Sequence, residues 1–148
     1  MVKNMFDSIL VVCTGNICRS PLGERYLRRE FPNKKIDSAG TGALVGYPAD
    51  ASAEKVANIN GLSLEGHRAQ QFTADLARYY ELILVMEKYH LEKIAKIAPE
   101  ARGKVMLFGQ WLNHKEIPDP YRKSDEAFAS VFQLIDQAGQ SWVDKLSR

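Results

Sequence analysis

Apolar residues gather along this chain in short blocks that alternate with helical spacing. Ile9–Val12, Leu82–Met86 and Val105–Phe108 are continuous apolar runs of strand length, the pattern of strands buried on both faces. Lys35–Ala39 reads as a shorter flanking strand. Between these runs the apolar positions recur every three or four residues. Leu22, Tyr26, Leu27 and Phe31 predict a helix over 21–31, and Ala53, Val56, Ala57 and Ile59 one over 51–60. Leu91, Ile94, Ala95 and Ile97 predict a third over 87–97, stopping before Pro99. A wide stripe from Ala127 to Trp142 predicts a last helix over 124–146, capped by Ser124.

Strand and helix in alternation predict an α/β fold: a parallel sheet with helices on both faces. With 148 residues, no internal repeat and no linker, one domain spanning 1–148 is expected. In such sheets ligands bind beyond the carboxyl ends of the strands. That directs attention to the segment after the first run, Cys13-Thr14-Gly15-Asn16-Ile17-Cys18-Arg19-Ser20.

A tight loop feeding a helix N-terminus turns backbone N–H groups toward one point and adds the helix dipole, which makes an anion nest. Gly15 permits backbone angles that a side chain would forbid, and Asn16 tolerates the left-handed region. Ser20 followed by Pro21 fits an N-cap and first helical position. Arg19 offers a planar fork for two phosphate oxygens. A cysteine at the base of such a nest is favoured as thiolate, the nucleophilic form, and Ser20 is placed to donate to it. The segment therefore reads as a nucleophile, Cys13, beneath a phosphate cradle. Attack on a phosphate ester also needs an acid for the leaving oxygen. Asp119, held between Pro118 and Pro120, is the candidate, because a phosphate dianion beside a carboxyl helps it keep its proton. Tyr121 stands two residues on, where it can line a substrate ring.

Composition narrows the rest. A net charge of +2 argues against a general nucleic-acid binder. The cluster Arg25, Arg28, Arg29, Lys34 and Lys35 reads as a solvated helix face with its exit loop. No apolar run approaches the roughly 20 residues of a membrane span. The N-terminus lacks the apolar stretch of a signal peptide, so no membrane insertion and a cytoplasmic location are expected. Two cysteines in such a chain do not make a disulfide framework, and His67, His90 and His114 lack metal-ligand spacing. There is no Gly-Lys-Ser/Thr ending for a nucleotide loop. The Gly40–Gly46 stretch has the wrong intervals for a dinucleotide fingerprint and reads as an active-site loop.

"VVCTGNICRSP" near the N-terminus and "DPYRKS" near the C-terminus resemble the low-molecular-weight protein tyrosine phosphatases, in the family's order and over nearly the whole chain. The resemblance implies a four-stranded parallel sheet and a phosphocysteine intermediate formed on Cys13 while Asp119 protonates the tyrosine. The backbone from Thr14 to Arg19, with Gly15, Asn16, Ile17 and Cys18 between them, and the Arg19 guanidinium would bind the phosphoryl oxygens. Asn16, Ser20, Ser38 in "DSAG" and His67 in "EGHRAQQ" would hold the loop by hydrogen bonds. No metal or organic cofactor is implied; phosphate or another oxyanion would occupy the loop. Cys18 matches a second loop cysteine able to close a reversible disulfide with Cys13.

"GALVG", "APEARGKVMLFG" and "IPDPYRKS" are similar to the bacterial subgroup paired with membrane tyrosine autokinases of capsule and exopolysaccharide export. The implied partner is the kinase's tyrosine-rich tail. Arg122, and Leu44 in place of a bulky aromatic wall, imply a more open and basic entrance. Three rivals follow from the same fold. Arsenate reductases need further cysteines that "LVMEKYHLEK" lacks. Protein-arginine phosphatases carry a small polar residue at the position of Ile17. A non-catalytic phosphate-binding module would not need both Cys13 and Asp119.

Overall fold

The computed structural model describes residues 6–147; the N-terminal leader expectation concerns residues that lie mostly outside that range. Four strands, β1 (Ser8–Cys13), β2 (Lys35–Gly40), β3 (Leu82–Val85) and β4 (Val105–Leu107), form one sheet in the order β2-β1-β3-β4. All pairings are parallel, with Val12 beside Ala39 on one side and Val85 on the other.

The apolar runs become central strands because both faces are covered. Ile9 and Val11 pack with Leu22, Tyr26 and Leu27 of α1 (Arg19–Glu30), Val56 of α2 (Ala51–Ile59) and Phe128, Val131 and Ile135 of α5 (Asp125–Leu146). Leu10 and Val12 face the other way, onto Ala77 of the short α3 (Ala74–Ala77), Ile94 of α4 (Lys88–Ile97) and Ala101 of a 3-10 helix (Pro99–Lys104). Ile9, Leu10, Val11 and Val12 have no exposed surface. Each such side chain contributes roughly 1.5–3 kcal/mol by leaving water. Close packing reaches the backbone at Gly139 on α5, where a Cβ would collide with the Tyr26 ring.

The four strands and four long helices follow the expected pattern, with ends shifted by a residue or two. Two elements were not foreseen. α3 is too short for a period to show, and the 3-10 helix contains Gly103. Ser124 caps α5 as expected, accepting the Ala127 N–H at 3.2 Å. Ser20 does not cap α1. The helix begins at Arg19 with Cys18 as its N-cap residue, and the Ser20 hydroxyl is engaged elsewhere.

The order β2-β1-β3-β4 has one consequence for the site. The chain leaves β1 toward β2 on one side and leaves β3 toward β4 on the other. A crevice therefore opens between the carboxyl ends of β1 and β3. No helix among the described residues is long and apolar enough to cross a membrane.

Candidate active site

The loop from Cys13 to Arg19 lies over that crevice, and its carbonyls are turned away from it. Each of the first five is held by a donor outside the loop. Thr41 N–H reaches Cys13 O (3.0 Å), Gly42 N–H reaches Thr14 O (3.0 Å) and Leu44 N–H reaches Gly15 O (3.1 Å). His67 Nε2 meets Asn16 O at 2.6 Å, and Asp50 N–H reaches Ile17 O at 2.9 Å. A trans peptide is planar, so a carbonyl pinned outward points the N–H of the same plane the opposite way. None of the N–H groups from Thr14 to Arg19 donates to an acceptor among the described residues. Convergent N–H groups at the start of α1 form the anion nest expected from the sequence.

The left-handed residue of the loop is Asn16, at φ 60°. Gly15 was expected to share that freedom but does not take a positive φ. The turn is needed at Asn16, whose carbonyl must reach His67. Asn16 is fully buried and its side chain is satisfied: Nδ2 donates to Ser20 Oγ (2.8 Å) and Ser38 Oγ (3.0 Å), and Oδ1 accepts the Gln70 N–H (2.9 Å). Ser38 passes its own hydrogen to Glu24 Oε1 at 2.6 Å. Ser20, free of capping duty, stands 2.9 Å from Cys13 Sγ. Since Asn16 donates to Ser20 Oγ, the Ser20 hydrogen is available to the sulfur. A residue substituted for Gly40 would drive its Cβ into the Thr14 carbonyl, so β2 can approach the loop this closely only with glycine there.

Arg19 is 1 % exposed. Its Nη1 donates to Glu87 Oε2 (2.5 Å) and to Ile117 O (2.9 Å), and Nη2 lies 3.8 Å from Asp119 Oδ2. Burial would pull its proton affinity down. Neighbouring Cys13, the Glu87 hydrogen bond and Asp119 outweigh burial and raise it. Anchored on one edge, the guanidinium keeps Nε and part of Nη2 for a ligand. Besides its pairing with Arg19, Asp119 accepts the Tyr121 N–H on Oδ1 at 3.0 Å.

Cys13, Thr14, Gly15, Ile17, Cys18, Arg19, Leu44, Asp119 and Tyr121, with Gly42, line one cleft of about 200 Å³. Asn16, Ser20, Ser38 and His67 lie behind it as the hydrogen-bonded support just described. The two cysteines are both free and buried. Burial, followed by the charges of Asp50, Cys13 and Asp119, pushes the Cys18 thiol up well beyond the ordinary thiol range, so it stays protonated near neutrality. Burial likewise pulls His67 down, which favours a neutral ring.

Five residues of this site were not foreseen: Glu24, Gln70, Glu87, Tyr89 and His90. Glu24 and Gln70 complete the Asn16–Ser38 network. Glu87 follows the β3 run directly, and a carboxylate at the carboxyl end of a buried strand is the signal that marks it. His90 Nε2 lies 2.9 Å from Thr14 Oγ1, which also meets the Tyr89 hydroxyl. In the sequence His90 is one of three scattered histidines.

A nest beside a free cysteine, an edge-anchored arginine and a carboxylate across the cleft can bind a phosphoryl group and supply a nucleophile and a proton. Comparison with known proteins shows the family. Residues 8–148 match the family model described as low molecular weight phosphotyrosine protein phosphatase. The chain is 57 % identical to the low molecular weight protein-tyrosine-phosphatase Etp of Escherichia coli K12, over all of both chains. It is similar to the crystal structure of the tyrosine phosphatase Wzb from Escherichia coli K30 in complex with sulphate, with TM-score 0.94 and 68 % identity over 96 % of this chain and 99 % of that one. Vibrio vulnificus Wzb in complex with benzylphosphonate matches with TM-score 0.94 and 57 % identity, covering 96 % of this chain and 100 % of that one. The chain thus belongs to the low molecular weight phosphotyrosine protein phosphatase family.

Proposed function

We propose that this chain, as one phosphatase domain, hydrolyses phosphotyrosine in proteins through a phosphocysteine on Cys13. The observation that carries the reading is the outward pinning of the five loop carbonyls around a free cysteine, with Arg19 and Asp119 on the same cleft. Phosphoryl transfer demands mainly positioning and charge stabilisation, which preorganised N–H groups and a fixed guanidinium supply. Cys13 Sγ attacks phosphorus. The S–P bond forms, the bond from phosphorus to the tyrosyl oxygen breaks, and Asp119 gives that oxygen its proton. Water then attacks phosphorus, Asp119 takes the water's proton, and the S–P bond breaks to release inorganic phosphate. Ser20 Oγ, 2.9 Å from the sulfur, stabilises the thiolate as it attacks and as it leaves.

Ile17, Leu44 and Tyr121 give the cleft apolar walls suited to a flat aromatic ring. This favours phosphotyrosine over phosphoarginine. Likeness to the YwlE arginine phosphatase, at 24 % identity and TM-score 0.89, concerns the fold alone. With Cys13 and Cys18 as its only cysteines, the chain lacks a third thiol for a reductase relay. The proposal extends to a cytoplasmic enzyme acting on the tyrosine-rich tail of a membrane tyrosine autokinase; similarity to Etp, Wzb and AmsI supports the exopolysaccharide or capsule setting alone.

The test is rapid quenching of Asp119→Ala with a phosphotyrosine peptide. A phosphoryl group on Cys13, absent from Cys13→Ser, supports the pathway. Turnover by Cys13→Ser would refute it. Phosphoarginine peptides and a multiply phosphorylated tyrosine-rich peptide, run in parallel, decide the substrate.

A further inference from the structure

The loop is braced from two sides by different means. From the β2 side, backbone donors of residues 41–50 and His67 hold its carbonyls. From the β3 side, two side chains at the start of α4 hold it: Glu87 grips Arg19, and His90 grips Thr14. We infer that His90 is a positioning residue for phosphate binding, which fixes Thr14, and so the first turn of the nest, through a single donated hydrogen bond.

The direction of that bond follows from its neighbours. The Glu87 backbone N–H lies 3.1 Å from His90 Nδ1, and an N–H only donates. Nδ1 is therefore the acceptor, and the hydrogen of the neutral ring sits on Nε2. Nε2 faces Thr14 Oγ1 at 2.9 Å and donates to it. His90 has no exposed surface, so the contact is closed to water from the side of the ring. The ring thus links a helix cap to the phosphate loop. It takes the reciprocal role that Glu or Gln plays in a capping box, and uses its second nitrogen on the loop.

Thr14 is held at three points: its own carbonyl by Gly42, the preceding carbonyl by Thr41, and its hydroxyl by His90 and Tyr89. The first two fix the flanking peptide planes. The third fixes the side chain, and with it the residue's rotation between those planes. Tyr89 is 39 % exposed and shares its contact with water, so His90 is the stronger brace.

The inference rests on the loop being the phosphate site, and the experiment keeps the two apart. Turnover of p-nitrophenyl phosphate by wild type tests the site. The inhibition constant of inorganic phosphate in variants tests His90. His90→Leu is expected to raise that constant about five- to tenfold, the effect of one lost buried hydrogen bond. His90→Gln, whose Oε1 and Nε2 span the same acceptor and donor, is expected to bring it back to within about twofold of wild type. Thr14→Val should match His90→Leu, and the double variant should be no worse than either, since both remove one bond. Tyr89→Phe should change it less than about twofold.

A wild-type phosphate constant in a less stable His90→Leu would overturn the inference, as would multiplying effects in the double variant. So would a Tyr89→Phe effect equal to that of Thr14→Val. If His90→Leu does not fold, an unchanged constant in Thr14→Val overturns it alone.

Discussion

The loop of Cys13–Ser20 and the segment around Asp119 meet in one cleft and are built in opposite ways. The loop is fixed at its carbonyls and at its polar side chains. Five carbonyls have outside donors, and Asn16, Arg19 and Ser20 are at most 1 % exposed. Asp119 has 48 % of its side chain exposed, and apart from the Tyr121 N–H its nearest charge is Arg19 at 3.8 Å. Its segment is pinned two residues earlier, at Ile117, whose N–H bonds Met86 O and whose carbonyl holds Arg19. The difference fits the roles proposed for the two parts. A group that stabilises phosphoryl charge works best when its dipoles are already in place and need no reorganisation. A group that must hold a proton, lose it and regain it needs access to water.

Two substitutions probe the ends of this contrast. Cys13→Ser removes the nucleophile from a loop that its other bonds still hold. Activity toward any aryl phosphate is expected to fall on the order of 10⁴-fold or more, while phosphate binding survives. Retained turnover would remove the basis for treating the two regions as partners. Asp119→Ala is expected to lower kcat for phosphotyrosine about 10²- to 10⁴-fold. The loss with p-nitrophenyl phosphate should be much smaller, because that leaving group departs without a proton. Equal losses for both substrates would mean that Asp119 supports the loop and does not serve as the acid.

The same contrast explains what could be read from the chain. Both ends of the proposed chemistry, Cys13 to Arg19 and Asp119, lie in short segments whose residue types suggest a role locally. The strands were legible because burial on both faces demands continuous apolar runs such as Leu82–Val85. Ser20 was misread as a cap because Ser before Pro has that local meaning. Its hydroxyl is claimed by Cys13 and Asn16, which only the folded loop brings near. Glu87 and His90 stand far from the loop in sequence. They acquire roles only when β1 and β3 lie side by side and put both carboxyl ends at one crevice. Nothing periodic marks such residues.

Glu87→Ala attacks the rigid side at its charged anchor. It leaves Arg19 buried with Ile117 O and a distant Asp119. Loss of one partner from a buried pair costs about 3 kcal/mol or more; the 25 % exposure of the Glu87 side chain puts the expected loss nearer 2 kcal/mol. Denaturant unfolding should show that loss, together with a higher KM for every phosphate ester. A normal KM with reduced kcat for phosphotyrosine alone would instead place Glu87 with Asp119, on the acid's side of the cleft.

A last effect, on acid stability, bears on the rigid side alone. Burial, followed by the positive charge of Arg19, pulls His90 down to about 4 from an ordinary value of 6.5; Asp119 and the Glu87 N–H bond act on it as weaker neighbours. Between those two values the unfolded chain binds a proton at His90 that the folded chain refuses. Its contribution is therefore fully present above about pH 6.5 and declines as the pH falls toward 4. At about 1.4 kcal/mol per unit, the full difference is roughly 3 kcal/mol. Wild type should lose more stability between pH 7 and 4.5 than His90→Gln does, because glutamine occupies the same bonds without titrating. Losses common to both proteins come from their carboxylates and cancel in the comparison. Equal losses would mean that His90 accepts its proton freely in the fold, and the neutral ring that aims Nε2 at Thr14 would have to be abandoned.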